Sequence, residues 1–500
     1  MFAVTAATGS IAGQEHAHDA AGRVDFPVSC SAPAQAEFTR GVVLLHHMTY
    51  PQAQDAVSKA ATLDPRCAMA QWGIAMTLFQ PLWPTRPSPA ALQRGWDAVQ
   101  KGKALEPPTP RERAFLATTE AFFLDPSASD YWLRIRRWEK ANEELLAAFP
   151  DDPEAAAFTA LSYLATAPAD SISRSHADRA ATLLLRVYEK NPDHPGAMHY
   201  LVHADDVPGR ERETPDITRK YEAVAPSNPH ALHMPTHVYT RLGDWPAVVR
   251  GNLKAADAAL ALPAGENKDL VWDEFPHAIE YLVYAYLQER DEARAAAQIK
   301  RLRDTPNIEP TFKTAFHLAS TQARYALERK QWKEAAAIVP REPSSIPWDR
   351  FAWPEAIARY ARGLGAVRLG DVATAKAEVE QLTKLEEKMK QLSEVLFARN
   401  IAVLRMELDA WRLHAEDKRD AAIAMMRQAA ALETSTPKHA VTPGPTLPAD
   451  ELLGDMLMED GRWADAGVAY AHALQLYPKR FNSLAGAALA TKRLRDRPRS

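Results

Sequence analysis

Seven of the sixteen histidines in this 500-residue chain lie between His194 and His277. Two pairs among them, His199/His203 and His233/His237, have the spacing H-x-x-x-H. Four residues of α-helix turn through about 400°, so each pair shares one face, roughly 6 Å apart along the axis. Both members of the pair recur after 34 residues (233 − 199 and 237 − 203). That interval is the length of a helix–turn–helix repeat, so adjacent hairpins carry the same pair and four imidazoles come near one another. A third line follows at Pro276-His277-Ala-Ile, which matches Pro229-His230-Ala-Leu. In that register Glu280 replaces His233 and Tyr284 replaces His237.

Neutral imidazole is the commonest protein ligand for transition metals, and i, i+4 pairs on neighbouring helices build such sites in helical scaffolds. The expected ligands are His199, His203, His233 and His237, joined by His277 and Glu280, with His194, His230 and Tyr284 as orienting partners. The donor set suits a divalent transition metal (zinc, copper or iron) and is too rich in nitrogen for magnesium or calcium. The ligand number serves one closed site or two ions. Two physical costs favour a ligand-binding role over mere packing. Each buried, unpaired imidazole nitrogen costs about 1–3 kcal/mol. Pro235 also lies inside the helix that Asn228 caps and Pro229 starts, where proline costs about 3 kcal/mol and bends the helix. His317 is expected to lie outside the cluster. His46 and His47, at the end of the first helix, read as a buried histidine beside a surface one, joining the cluster only if the superhelix curls back. His16 and His18 fall in a leader without periodicity.

The elements that must position these rings are helices. Amphipathic segments over Ala68–Phe79, Ala90–Leu105, Arg111–Phe123, Tyr131–Ala148, Glu154–Ala165 and His176–Lys190 are separated by proline-containing turns. Helix, polar turn, helix then recurs around Asp291, Lys330, Gly370 and Gly461. The expected organisation is a leader and strap over 1–33, helical repeats over 34–440 with the histidine cluster at 194–284, and a linker with a closing repeat and basic tail over 441–500. Thr442-Pro-Gly-Pro-Thr-Leu-Pro448 is the linker candidate. A composition of 46% hydrophobic and 25% charged residues allows a buried core, and a net charge of −4 gives no footprint for nucleic acid. No apolar run reaches the roughly 18–20 residues of a membrane helix.

The first segment resembles the tetratricopeptide repeat. Gly41, Ala53, Val57, Ala60 and Pro65 fall at the spacings where that consensus has glycine, alanine, phenylalanine, alanine and proline, with only the valine departing. The resemblance spans nearly the whole chain and implies an all-α, right-handed superhelix of about ten to twelve helical hairpins. More narrowly, Phe26-Pro-Val-Ser-Cys30, Asp64-Pro-Arg-Cys67-Ala-Met-Ala-Gln-Trp72-Gly and the double H-x-x-x-H resemble a group of exported bacterial tetratricopeptide proteins. That resemblance implies a fold and a compartment but no reaction.

Two observations bear on the compartment. The first residues resemble the second half of a secretory signal with a Ser10-Ile11-Ala12 cleavage site but without the positive n-region. Cys30 and Cys67 are the only cysteines. A bridge between them fits an exported or periplasmic protein, and two buried thiols fit a cytoplasmic one. Three function classes follow: a metal-binding interaction scaffold, a metalloenzyme using the His/Glu site, and a solenoid that binds protein or peptide in its concave groove with histidines that only pack. Walker A, G-x-G-x-x-G, G-x-S-x-G and H-E-x-x-H motifs are absent, which removes nucleotide, serine-hydrolase and zincin readings.

Overall fold

The computed structural model describes residues 21–83, 85–127, 130–264 and 267–496. The expected cleavage site, His16, His18 and the last residues of the basic tail lie outside them. Within them run twenty-four α-helices, from Ala32–His46 to Phe481–Arg495, each packed on its neighbours as a series of antiparallel hairpins. The fold is all-α, a succession of packed helical hairpins. One local addition is a two-stranded antiparallel ribbon, Pro263–Ala264 with Asn267–Val271, in the connection ahead of the third histidine-bearing helix.

Helix limits follow local chemistry. Proline opens Pro89–Ala104, Pro110–Phe123, Pro153–Ala165 and Pro195–Asp205, where its missing N–H costs nothing. Thr109 and Glu112 form a capping box, and Asp152 and Asn228 accept from the backbone N–H groups of the turns they start. The first hairpin shows why the repeat wants small residues. A Cβ at Gly41 would stand 2.5 Å from Val57 Cγ1, and one at Gly73 would stand 2.6 Å from it. Val57 thus wedges between two glycine-bearing helices, so a branched side chain fills the place of the consensus phenylalanine.

An inner row of helices carries the chemistry: Pro195–Asp205, Pro229–His233 with Pro235–Leu242, Glu274–Gln288 and Phe312–Glu328, each against the next. The interior proline makes a break in the hydrogen bonding of its helix while Met234 keeps helical dihedrals (φ −53°, ψ −43°). Pro235 has no N–H to offer, and one helix stops at His233 and another starts at Pro235 with Met234 between them.

The superhelix curls back on itself. His46 Nδ1 lies 3.0 Å from the Tyr200 hydroxyl, and Arg86 pairs with Glu394 at 3.3 Å. Trp245 Nε1 donates to the Lys479 carbonyl at 3.2 Å, and Arg480 reaches the Tyr284 hydroxyl at 3.0 Å. Residues 442–446 run through this closure. Arg324 donates to the carbonyls of Gly444, Pro445 and Thr446 and to Thr442 Oγ1, so the proline-rich segment is pinned by a buried guanidinium. At the other end Cys30 and Cys67 form a disulfide, and Phe26 of the strap packs on Phe38, Trp72 and Phe115.

Candidate metal centre

The inner helices sort six histidines into two groups. His199 and His203 meet His230, and His233 and His237 meet His277, with one ligand nitrogen per ring within 4.8 Å of the others in each group. The i, i+4 pairs hold as the spacing implies. Each pair takes its third ring from the following helix, and the two groups lie side by side. Ring centroids across the boundary are 6.4 Å apart for His203 and His237 and 6.5 Å for His230 and His233.

The division falls within Pro229–His233, between His230 and His233, ahead of the break at Pro235. His230 sits one turn before the break and turns back to His199, Nε2 to Nε2 at 3.1 Å. His233 and His237 flank the break and face each other, Nε2 to Nε2 at 2.9 Å.

In four of the six rings, those of His199, His233, His237 and His277, the Nδ1 nitrogen is committed as a donor. His199 Nδ1 faces the carbonyl oxygen of His46 at 2.5 Å. His233 Nδ1 faces Asn252 Oδ1 at 2.6 Å, and the Asn252 amide is fixed because its Nδ2 donates to the Val248 carbonyl. His237 Nδ1 faces Asp206 Oδ2 at 2.8 Å. A carbonyl, an amide oxygen and a carboxylate only accept, so these three Nδ1 atoms carry hydrogens and the Nε2 atoms present lone pairs. His230 Nδ1 lies 3.3 Å from Glu274 Oε1, close for charge though outside good hydrogen-bond geometry, and Glu274 pairs with Lys313 at 2.6 Å. His277 Nδ1 lies 2.9 Å from His317 Nε2, and His317 Nδ1 faces Glu280 Oε2. That relay leaves His277 Nε2 bare. His203 Nε2 is buried with no protein partner.

A lone pair thus points at a lone pair between His233 and His237, whereas His230, with no acceptor on its Nδ1, is free to donate from Nε2 to His199 Nε2. Sharing a proton would need an imidazolium, and the site opposes one. Burial, then neighbouring rings, push His199, His203, His233 and His277 well below the ordinary imidazole value. Burial and the Lys438 ammonium take His237 to about 4. Converging imidazole nitrogens of this kind could hold a cation. Tetrahedral bonds of about 2.0–2.1 Å place ligand nitrogens about 3.3 Å apart, a few tenths of an ångström beyond the separations here.

Several expected residues are placed differently. His317, expected outside, is fully buried in the relay and orients His277. Glu280 reaches the centre only through His317; its other oxygen accepts from Ser320 and Arg324. Tyr284 turns to Arg480, and Tyr281, three residues earlier, places its ring centroid 4.6 Å from that of His233 instead. His194 caps its own helix by accepting from Ala197 N–H and donates to Glu154, forming a third group with His46. In that group every imidazole nitrogen has a partner: Glu154 for both Nε2 atoms, Tyr200 for His46 and Ala197 for His194.

His46 and His47 are both fully buried, against the expectation of a surface histidine, because the superhelix closes over them. The His46 ring needs Gly196, where a Cβ would stand 2.3 Å from its Nδ1. His47 stacks on Tyr221, which stacks on His199 from the other side. Asp206, absent from the expected set, is the main electrostatic anchor. Burial alone would raise its pKa, but Lys438 and Arg241, at 2.7 and 2.6 Å, hold it well below the usual carboxylate value.

No family model matches this chain, and no curated protein matches it. Among solved structures it is similar to a chain of the APC/C hetero-tetramer Cut9–Hcn1, with 11% identity over 91% of this chain and 76% of that one, TM-score 0.40. It is also similar to yeast Tom70, 11% identical over 93% and 90% with a TM-score of 0.34. Human IFIT1 in a dimer with m7Gppp-AAAA is 13% identical over 95% and 92%, with a TM-score of 0.40.

Proposed function

We propose that this protein is a transition-metal protein on a tetratricopeptide-type scaffold, holding two ions side by side in the groups His199/His203/His230 and His233/His237/His277. One observation carries the reading: His233 Nε2 and His237 Nε2, both fixed as acceptors by the partners of their Nδ1 atoms, face each other at 2.9 Å in a buried site, and the His199/His203/His230 group repeats the clustering beside them. Outer partners of this kind, a carbonyl, an amide, a carboxylate and a His–Glu relay on Nδ1, are what metal-bound imidazole requires. Zinc, copper and iron all suit three neutral imidazoles. The Cys30–Cys67 bridge supports an oxidising compartment, and with it export.

A role confined to peptide binding in the groove has less support, because Trp83, Lys438 and the segment to Thr446 already line or cover the inner row around the histidines. Three protein ligands per ion leave a coordination position free, the arrangement of catalytic rather than purely structural sites. The test is elemental analysis after loading with zinc, copper(II) or iron(II). Two equivalents are expected for the native chain, and one each for His203→Ala and His277→Ala. Two equivalents should remain for His472→Ala, a half-exposed histidine paired with Asp450. A native chain that takes up none of these metals refutes the reading.

A further inference from the structure

The two groups differ in access. His233, His237 and His277 are all buried, whereas His203 is partly exposed and lines a cavity of about 220 Å³ between the two ends of the superhelix. Trp83 and Trp132 form aromatic walls of the same cavity, and Arg86, Arg241 and Lys438 line it. Arg86 lies over the Trp132 ring at 5.2 Å and pairs with Glu394. Arg241 and Lys438 share the one carboxylate of Asp206, which leaves an excess of positive charge at the cavity wall. Three polar atoms among these linings, His203 Nε2, Trp83 Nε1 and Arg86 Nε, are buried without a protein partner. A cavity of about 150 Å³ already holds benzene, so one substituted ring fits here.

Resting on the metal reading above, we propose that this cleft binds a small anionic aromatic molecule, an aryl carboxylate or phenolate, with its charged oxygen toward the ion of the His199/His203/His230 group. The indole faces hold the ring, and the unbalanced cations select the negative charge. The second ion, enclosed on all sides, takes no ligand from the cleft.

The test uses the full chain loaded with cobalt(II), read by visible absorption during titration with benzoate, acetate and benzyl alcohol. Benzoate is expected to shift the spectrum of one of two bound ions at concentrations at least about tenfold below those acetate needs, and benzyl alcohol to leave it unmoved. Trp132→Ala should keep both ions and weaken benzoate about three- to tenfold. The proposal is overturned if two cobalt ions bind and benzoate leaves the spectrum unchanged, if acetate equals benzoate, or if Trp132→Ala binds benzoate as the native chain does. Failure to take up cobalt or any other metal overturns the metal reading itself, and this proposal with it.

Discussion

His317→Ala isolates the relay behind the second ion. In the native chain His317 Nε2 accepts from His277 Nδ1 at 2.9 Å, while His317 Nδ1 donates to Glu280. Truncation leaves the His277 N–H without an acceptor in a buried site and frees the ring to rotate or change tautomer. Loss of such an orienting partner weakens metal binding about ten- to a hundredfold, equivalent to about 1.4–2.7 kcal/mol. The metal-free protein should also lose about 1–3 kcal/mol, since the stranded N–H pays its desolvation. Glu280 retains Ser320 and Arg324, so its charge is not left alone. His199, His203 and His230 do not touch His317, so the first equivalent of metal should bind as in the native chain. Competition against a chelator of known affinity, followed to two equivalents, separates the two steps. His317→Gln can still accept from His277 and donate to Glu280, and should recover most of the second step. A second equivalent bound by His317→Ala within twofold of native affinity refutes the orienting role.

Acid should destabilise the metal-free protein well above the carboxylate range. Burial holds His47 at about 4, below the 6.5 or so of the unfolded chain, so the unfolded state takes up its proton first as pH falls. The contribution is whole above pH 6.5 and is lost progressively down to pH 4, about 3 kcal/mol for this ring if the full shift is realised. Thermal melts between pH 7 and 4 check it, and a melting temperature flat from 6.5 to 4.5 contradicts it. Replacing Cys30 and Cys67 together by serine opens a loop of 37 residues, worth about 4 kcal/mol in the chain-entropy account. A urea midpoint equal to that of the oxidised native protein would show that the bridge restrains nothing.

The helical limits were legible because proline, capping residues and the 3.6-residue period act locally: Tyr131–Ala148 and the ends of Pro153–Ala165 and Ser175–Lys190 fall where the pattern puts them. The two H-x-x-x-H pairs were legible for the same reason. Their division was not, because His230 joins His199 through a tertiary contact across 31 residues. His317 did carry a signal, since 277 − 237 and 317 − 277 are both 40, but no neighbouring histidine marks it. Asp206, His46 and Lys438 act across 31, 153 and 232 residues (438 − 206 for the last), distances at which no periodicity speaks. Tyr284, aligned with His237, meets Arg480, which lies 196 residues away and leaves no mark in the local pattern.

A helical array normally comes apart repeat by repeat, because each unit holds only its neighbours. Here Arg86 with Glu394, Trp245 with Lys479 and Lys438 with Asp206 join parts of the chain separated by 308, 234 and 232 residues. Such links raise the mean sequence separation of contacts, which slows folding, and they must be broken before either end can fray. The ring-like closure therefore trades the stepwise, local assembly of a solenoid for a single, more concerted transition. Truncating the last repeat should be felt at the histidines, not only at the tail.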